Sequence, residues 1–135
     1  MIPTLTRILY VEDQPDIQII ARMALVKRGG FEVRICSSGA EALAAAPAFA
    51  PDMLLLDVMM PGMDGPATLA ALRELPGTAA TPVVFLTAKA EPQVNAELRA
   101  IGASDVILKP FNAMTLADQV RAIWARHHDV PGAAA

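Results

Sequence analysis

Short apolar runs alternate along the chain with stretches in which apolar residues recur at helical spacing. Five of the runs have the length and aliphatic content of buried strands. They cover residues 6–11, 31–36, 53–56, 82–86 and 105–108. Between the first two runs, apolar residues recur at intervals of three and four, which predicts an amphipathic helix that ends at Gly29-Gly30. The residues of this apolar stripe are Ile17, Ile20, Ala21, Ala24 and Leu25. Strands that alternate with helices in this way predict an α/β domain with a parallel sheet.

The order of these elements restricts the possible topologies. Connections between parallel strands are almost always right-handed, so the leading arrangement is a doubly wound, five-stranded parallel sheet with five helices on its two faces. We expect one domain over residues 1–128, followed by a disordered tail at 129–135 that lacks a core pattern.

Three helix starts carry capping signals. Ser38 followed by Glu41 has the pattern of a capping box, in which two side chains satisfy free backbone N–H groups. Asp64 precedes the next predicted helix, and Asn112 precedes the last. These signals predict where the second, third and fifth helices begin.

Composition excludes several classes of protein. The formal net charge is -3 and the 11 basic residues are scattered, which argues against direct nucleic-acid binding. The single cysteine, Cys36, cannot form an internal disulfide and favours a reducing compartment. Residues 1–7 lack signal-peptide features, and the Ala-rich stretch 40–50 is too short and too interrupted to span a membrane. We therefore expect a soluble, cytoplasmic protein.

Polar side chains follow four of the five predicted strands. Glu12 and Asp13 come after the first strand, Asp57 after the third, Thr87 after the fourth and Lys109 after the fifth. Ligands of doubly wound sheets gather outside the carboxyl ends of the strands, where these side chains would meet. Three carboxylates, a hydroxyl and an ammonium group in one place can hold a divalent cation and a phosphoryl group.

Four motifs surround these polar positions, in a fixed order. They are Leu9-Tyr10-Val11-Glu12-Asp13, the segment Leu54 to Gly65, Val84-Phe85-Leu86-Thr87-Ala88, and Lys109-Pro110-Phe111. Together they resemble the receiver domain of two-component response regulators, particularly the stand-alone chemotaxis-regulator type, from Arg7 to about Arg126. The resemblance implies a flavodoxin-like fold with strand order 2-1-3-4-5. It also implies a protein that accepts a phosphoryl group from a sensor histidine kinase and signals by phosphorylation-dependent protein binding.

The resemblance assigns the acidic residues to acceptor and metal roles. Asp57 would be the phospho-acceptor, and Asp13 and Asp57 would bind Mg²⁺ directly together with the backbone carbonyl of Met59. Glu12, where the family often has Asp, would act mainly through water. The electrostatics agree, because two like charges ~4 Å apart repel by about 4 kcal/mol at a dielectric constant near 20. Cationic groups must therefore lie among these three carboxylates.

The resemblance also assigns the residues around the phosphoryl group. Lys109 would pair with Asp57 and later with a phosphoryl oxygen, while Thr87 would donate its hydroxyl to another oxygen. Ala88 would leave room for the group, and the Lys109-Pro110 bond would be cis. In this interpretation, catalysis consists of positioning and charge stabilisation.

This sequence departs from the family in its switch residues. In the family, an aromatic residue on the last strand rotates inward as the threonine moves, but the matching residue here is Val106. The expected output face consists of the helix at 91–101, the last strand and the final helix, and it would bind an unknown protein target. By the resemblance, Met59 and Lys89 flank the acceptor at positions that tune dephosphorylation in related domains, and we hypothesise that an apolar and a bulky side chain there slow attack by water.

The sequence is also compatible with other functions. The chain could instead be a phosphorelay intermediate that passes the group to another histidine, or a phosphorylation-independent scaffold. A haloacid-type phosphatase ranks low, because such an enzyme needs an acid where this chain has Met59. We expect no enzymatic activity beyond the domain's own phosphorylation and dephosphorylation, and a monomer or weak dimer. With no output segment after Arg126, effects would pass through protein contacts.

Overall fold

The computed structural model describes residues 3–89 and 91–129. Within these ranges one sheet of parallel strands has the order β2-β1-β3-β4-β5. The strands are β1 (Arg7–Val11), β2 (Glu32–Cys36), β3 (Met53–Asp57), β4 (Val83–Thr87) and β5 (Asp105–Leu108). The helices are α1 (Pro15–Arg22), α2 (Gly39–Phe49), α3 (Gly65–Arg73), α4 (Pro92–Ala100) and α5 (Leu116–Asp129). The predicted fold and strand order are confirmed. Residues 130–135, most of the predicted tail, lie outside the described residues.

The sheet is covered on both faces, which explains why its central strands are continuously apolar. Every residue of β3 and β4 is buried. Consecutive strand residues point to opposite faces, so Tyr10 packs in the core under α1 and α5, and Leu9 packs in the core under α2, α3 and α4. Among the described residues, no helix combines the length and apolar character that a membrane span requires. The two cores fix the strands, and thereby the sheet edge where the polar residues lie.

The helix predicted between β1 and β2 has two parts. α1 ends at Arg22, and a π-helical segment, Met23–Arg28, continues it to Gly29. The Gly29 N–H donates to the carbonyl of Ala24 at 3.1 Å, which is the wider spacing of a π-helix. Ala24 and Leu25 remain buried, so the apolar spacing predicted the segment without distinguishing the two helix types.

Two of the three predicted caps are formed at the helices they were assigned to. Ser38 accepts a hydrogen bond from the N–H of Glu41 at 3.1 Å, although the Glu41 carboxylate accepts from Ser37 rather than from Ser38. Asp64 accepts from the N–H three residues on at 2.9 Å. Asn112 lies four residues before α5 and accepts from the N–H two residues on, so it closes the turn that leads into α5.

Candidate phosphoryl-acceptor and metal site

The predicted polar residues meet at the carboxyl edge of the sheet. Asp57 is the last residue of β3 and Thr87 the last of β4, while Glu12 and Lys109 each follow their strand directly. Carboxylate oxygens of Glu12, Asp13 and Asp57 lie within 4.8 Å of one another. The three acids that the sequence singled out therefore form a single cluster.

Lys109 reaches into this cluster and contacts two of its three carboxylates. Its Nζ lies 3.0 Å from Oε1 of Glu12 and 3.2 Å from Oδ2 of Asp57. The Lys109 side chain is 14% exposed and both partner carboxylates are buried, so water screens these contacts weakly. The Lys109-Pro110 bond is cis, as the resemblance implied. One ammonium charge thus offsets only part of the charge of three carboxylates.

Burial and neighbouring charges shift two pKa values in the site. Burial raises the pKa of Glu12, the hydrogen bond from Lys109 opposes this shift, and the charge of Asp57 adds to it. Burial alone would lower the pKa of Lys109, but its hydrogen bond to Glu12 and the charges of Asp57 and Glu12 together raise it. Lys109 therefore holds its proton tightly, and the cluster favours additional positive charge.

Glu12 is held in place by several contacts that the sequence analysis did not identify. Its Oε2 accepts from the N–H of Gln14 at 3.2 Å, and its own N–H donates to the carbonyl of Cys36 at 2.9 Å. Gln18, on α1, donates from Nε2 to the Glu12 carbonyl at 2.6 Å. No motif marked Gln18, because its role depends on where α1 packs. Glu12 is thus fixed facing Lys109.

Thr87 is buried beside the cluster. Its Oγ accepts a hydrogen bond from the backbone N–H of Lys89 at 3.1 Å, and its carbonyl accepts from the N–H of Lys109 at 2.7 Å. Ala88 and the Lys89 side chain are exposed, and Val106 is half-buried on the neighbouring strand. Thr87 therefore stands between the carboxylates and the side of the domain formed by α4 and β5.

Gly65 ends one of the motifs that carry the resemblance, but the sequence analysis gave it no role. A Cβ atom added there would lie 2.5 Å from the carbonyl oxygen of Asp57 and 3.0 Å from Cα of Val58. The Gly65 N–H donates to the Val58 carbonyl at 3.0 Å, which ties the start of α3 to the end of β3. Only glycine allows this close approach. Met59, two residues after Asp57, is 71% exposed.

An apolar surface lies next to the site on α1 and the π-helical segment. Ile19 is 63% exposed, and Ile20 and Met23 are also exposed. The helical spacing assigned Ile20 to the core stripe, but the structure leaves it at the surface. Ile20 contributes to a cavity of about 60 Å³ between α1 and the segment that follows β5. The cavity is lined by Ile17, Ile20, Lys109, Pro110 and Phe111.

The chemistry of the donor set fits a magnesium ion. Mg²⁺ prefers oxygen ligands and is commonly bound by one or two carboxylates together with water and phosphate oxygens. Here three carboxylates converge within 4.8 Å, and Lys109 is the cation that contacts two of them among the described residues. A divalent ion would supply the remaining positive charge.

The fold and the site together define an α/β domain with an acidic, lysine-paired cluster at its ligand-binding edge. Residues 8–121 match the family described as response regulator receiver domain. This chain therefore belongs to the response regulator receiver domain family of two-component systems.

Named relatives agree with this assignment. The chain is 36% identical over 126 residues to the DNA-binding response regulator MtrA of Mycolicibacterium smegmatis, covering 93% of this chain and 53% of that protein. It is 35% identical over 122 residues to the phosphate regulon transcriptional regulatory protein PhoB of Rhizobium meliloti, covering 90% of this chain and 53% of that protein. The chain thus spans about half the length of these curated relatives.

Solved structures agree over nearly their whole length. The chemotaxis protein CheY4 of Vibrio cholerae has a TM-score of 0.82 and 32% identity, covering 89% of this chain and 99% of that one. A putative response regulator from Chloroflexus aurantiacus has a TM-score of 0.80 and 32% identity, covering 91% of this chain and 100% of that one. The fold is therefore that of CheY-like receiver domains.

Proposed function

We propose that this receiver domain acts in the cytoplasm, accepts a phosphoryl group on Asp57 from a sensor histidine kinase, and signals by phosphorylation-dependent protein binding. The observation that carries the proposal is the contact of Lys109 with Asp57 inside a cluster of three carboxylates. A carboxylate that is buried, rigidly held and already paired with an ammonium group suits nucleophilic attack on a phosphoryl group.

Four residues would hold the metal and the charge balance of the site. We infer that the carboxylates of Asp13 and Asp57 and the backbone carbonyl of Met59 bind Mg²⁺, with Glu12 contributing through water. When bound, the ion supplies positive charge that offsets the acceptor and the incoming phosphoryl group. Glu12 is paired with Lys109, which keeps its carboxylate beside the metal ligands rather than in solvent.

The transfer forms one bond and breaks one. A carboxylate oxygen of Asp57 attacks the phosphorus of phosphohistidine, the O–P bond forms, the N–P bond breaks, and the imidazole leaves with the donor protein. Lys109, 3.2 Å from Asp57, stabilises the charge on a phosphoryl oxygen. Thr87 donates its hydroxyl to another oxygen, and the small side chain of Ala88 leaves space beside it. The domain contributes positioning and charge, as in phosphoryl transfer generally.

The donor protein would dock on the apolar surface of α1. Asp57 is buried, so the phosphohistidine must be brought directly over the sheet edge. Exposed apolar residues beside a functional cleft mark protein contacts. Ile20 lines a cavity together with Lys109 and other residues of the β5–α5 connection, and Ile19 and Met23 are exposed on the same helical stretch. This surface would serve transfer from a kinase.

The output face would be formed by α4, β5 and α5. The Asp105 carboxylate pairs with Arg99 of α4 at 2.6 Å and with Arg126 of α5 at 2.7 Å, so one residue of β5 links both helices. Ile101 and Leu108 are exposed on the same side of the domain. A linked face with exposed apolar residues suits a protein target, and we propose that the domain presents it as a monomer or weak dimer.

Phosphorylation with a small-molecule donor tests the acceptor. The folded chain, incubated with acetyl phosphate and Mg²⁺, should gain the mass of one phosphoryl group, and chelation of Mg²⁺ should prevent the gain. Asp57→Asn should remain unlabelled. Asp64→Asn is the matched control, because Asn caps a helix as well as Asp and the variant keeps the acceptor. Labelling of Asp57→Asn, or no labelling of the folded wild type, would refute the proposal.

A further inference from the structure

One polar atom on α4 is buried without a partner. Asn95 Oδ1 is inaccessible and has no hydrogen-bond partner among the described residues. Buried polar groups are nearly always paired, and one left unpaired in a resting structure calls for an explanation. Asn95 also contributes to a cavity of about 60 Å³ between α4 and the ends of β4 and β5. The cavity is lined by Thr87, Lys89, Asn95, Val106 and Leu108.

Lys89, which lines the same cavity, has a backbone N–H whose present hydrogen-bond acceptor, Thr87 Oγ, is expected to move. The backbone N–H of Lys89 donates to Thr87 Oγ at 3.1 Å. In the proposed function, Thr87 turns toward a phosphoryl oxygen on Asp57, and this movement takes the acceptor away from Lys89. The side chain of Val106, which also lines the cavity, has no polar group that could replace Thr87 Oγ as acceptor. Asn95 Oδ1 is the buried side-chain acceptor without a partner that lines this cavity among the described residues.

We propose that Asn95 is a positioning residue that transmits the conformational effect of Asp57 phosphorylation to α4. When Thr87 turns inward, the N–H of Lys89 changes its acceptor from Thr87 Oγ to Asn95 Oδ1. The new bond ties the backbone after β4 to α4. It would take the place of the aromatic residue that the family uses for this coupling at the position of Val106. This inference rests on the proposed function. A neutral hydrogen bond made in only one of two states shifts their equilibrium by about fivefold.

The test compares two variants of similar size. Asn95→Leu removes the acceptor, and Asn95→Asp keeps an Oδ acceptor at the same position. Beryllofluoride with Mg²⁺ serves as the probe for the phosphoryl group, and backbone amide NMR signals of the full chain report the response. In the wild type and Asn95→Asp, the amides of Lys89 and of α4 should shift. In Asn95→Leu, the ratio of shifted to unshifted α4 conformers should fall by about fivefold, while Thr87 still responds.

The Tm of the unphosphorylated variants tests whether Asn95 Oδ1 is unpaired in the resting state. Because Oδ1 is unpaired at rest, Asn95→Leu should not lower the Tm of the unphosphorylated chain. A clear drop in Tm would show a resting partner and overturn the inference, as would an undiminished α4 response in Asn95→Leu. No response at Asp57 or Thr87 in the wild type would overturn the proposed function as well, so the two failures are distinguishable.

Discussion

The ammonium nitrogen of Lys109 lies 3.2 Å from a carboxylate oxygen of Asp57, although 52 residues separate the two along the chain. Their strands are not neighbours, because β4 lies between β3 and β5 in the sheet. The lysine therefore reaches across the end of β4 to contact the acceptor before any phosphoryl group arrives. The resting site is thus already arranged for the charge that transfer brings.

Removing this lysine should destabilise the resting domain. Lys109→Met leaves Glu12 and Asp57 buried beside each other without their ammonium partner. We expect the free energy of unfolding to fall by about 3 kcal/mol in EDTA, the cost of breaking a buried ion pair from one side. Mg²⁺ should restore part of this loss, because it offsets the same charges. Urea denaturation with and without Mg²⁺ measures both effects.

Lys89→Met is the control for Lys109→Met, since Lys89 follows Thr87 by two residues and its side chain is exposed. It should change the free energy of unfolding by no more than about 0.5 kcal/mol. If Lys109→Met is as stable as the wild type in EDTA, the ion pair contributes nothing to folding and the charge argument is wrong.

The raised pKa of Lys109 predicts how this stabilisation depends on pH. Burial opposes the shift, but Glu12 and Asp57 together raise the pKa above the ordinary value of 10.5. A group with a raised folded-state pKa contributes its full stability below the unfolded value and loses it as the pH rises through the folded value. The stability difference between the wild type and Lys109→Met should be constant near neutral pH and shrink above about pH 10.5. A difference that shrinks instead between pH 7 and 9 would contradict this assignment.

Gly65 should be more sensitive to a methyl group than a glycine in open space such as Gly77. In Gly65→Ala the new Cβ would meet the Asp57 carbonyl oxygen at 2.5 Å, so either α3 or the end of β3 must shift. We expect a loss of about 1–3 kcal/mol in the free energy of unfolding, as for overpacked sites, together with slower labelling by acetyl phosphate. Gly77→Ala is the matched control, because nothing lies within 4 Å of its Cβ position. Equal behaviour of the two variants would show that this close approach is unimportant.

The strands, and the polar residues that lie at their carboxyl ends, could be predicted from the sequence. Parallel strands buried on both faces appear as apolar runs, and a polar residue that ends such a run must lie at the ligand-binding edge. This is why Asp57, Thr87 and Lys109 were placed correctly beside one another. The same reasoning does not give distances, so the pairing of Glu12 with Lys109 rather than with water alone became visible only in the structure.

Features that depend on how helices pack could not be predicted in the same way. Apolar spacing on α1 identifies a stripe, but it does not say how completely neighbouring elements cover that stripe, and Ile20 remains 42% exposed. Gly65 and Gln18 act through the approach of α3 and α1 to strand ends, which no local pattern encodes. Asn95 was inconspicuous for the same reason, since its unpaired oxygen is a property of the packed α4.

The apolar surface on α1 should affect phosphotransfer from a histidine kinase but not phosphorylation by a small molecule such as acetyl phosphate. Ile20→Ser removes exposed apolar area beside the site without opening the core. We expect kcat/KM for phosphotransfer from the cognate histidine kinase to fall by about tenfold, the typical loss for a contact that carries binding energy. Labelling by acetyl phosphate should stay unchanged. Ile101→Ser, an exposed isoleucine at the end of α4, is the control. An equal loss in both variants would place the donor elsewhere.

The residues flanking the acceptor should set the lifetime of the phosphorylated state. Met59 is 71% exposed and apolar, so it is poorly suited to orient a water molecule for attack on the phosphoryl group. We hypothesise that the long, exposed side chain of Lys89 also hinders the approach of water. We expect a wild-type half-life well beyond seconds with Mg²⁺ present. Met59→Asn should shorten it by about tenfold, because an amide can orient water. The decay is followed by intact-mass spectrometry after acetyl phosphate is removed, with Met114→Asn, at another exposed methionine, as control. A wild-type half-life of only seconds, or equal decay in Met59→Asn and the control, would show that Met59 does not limit access of water.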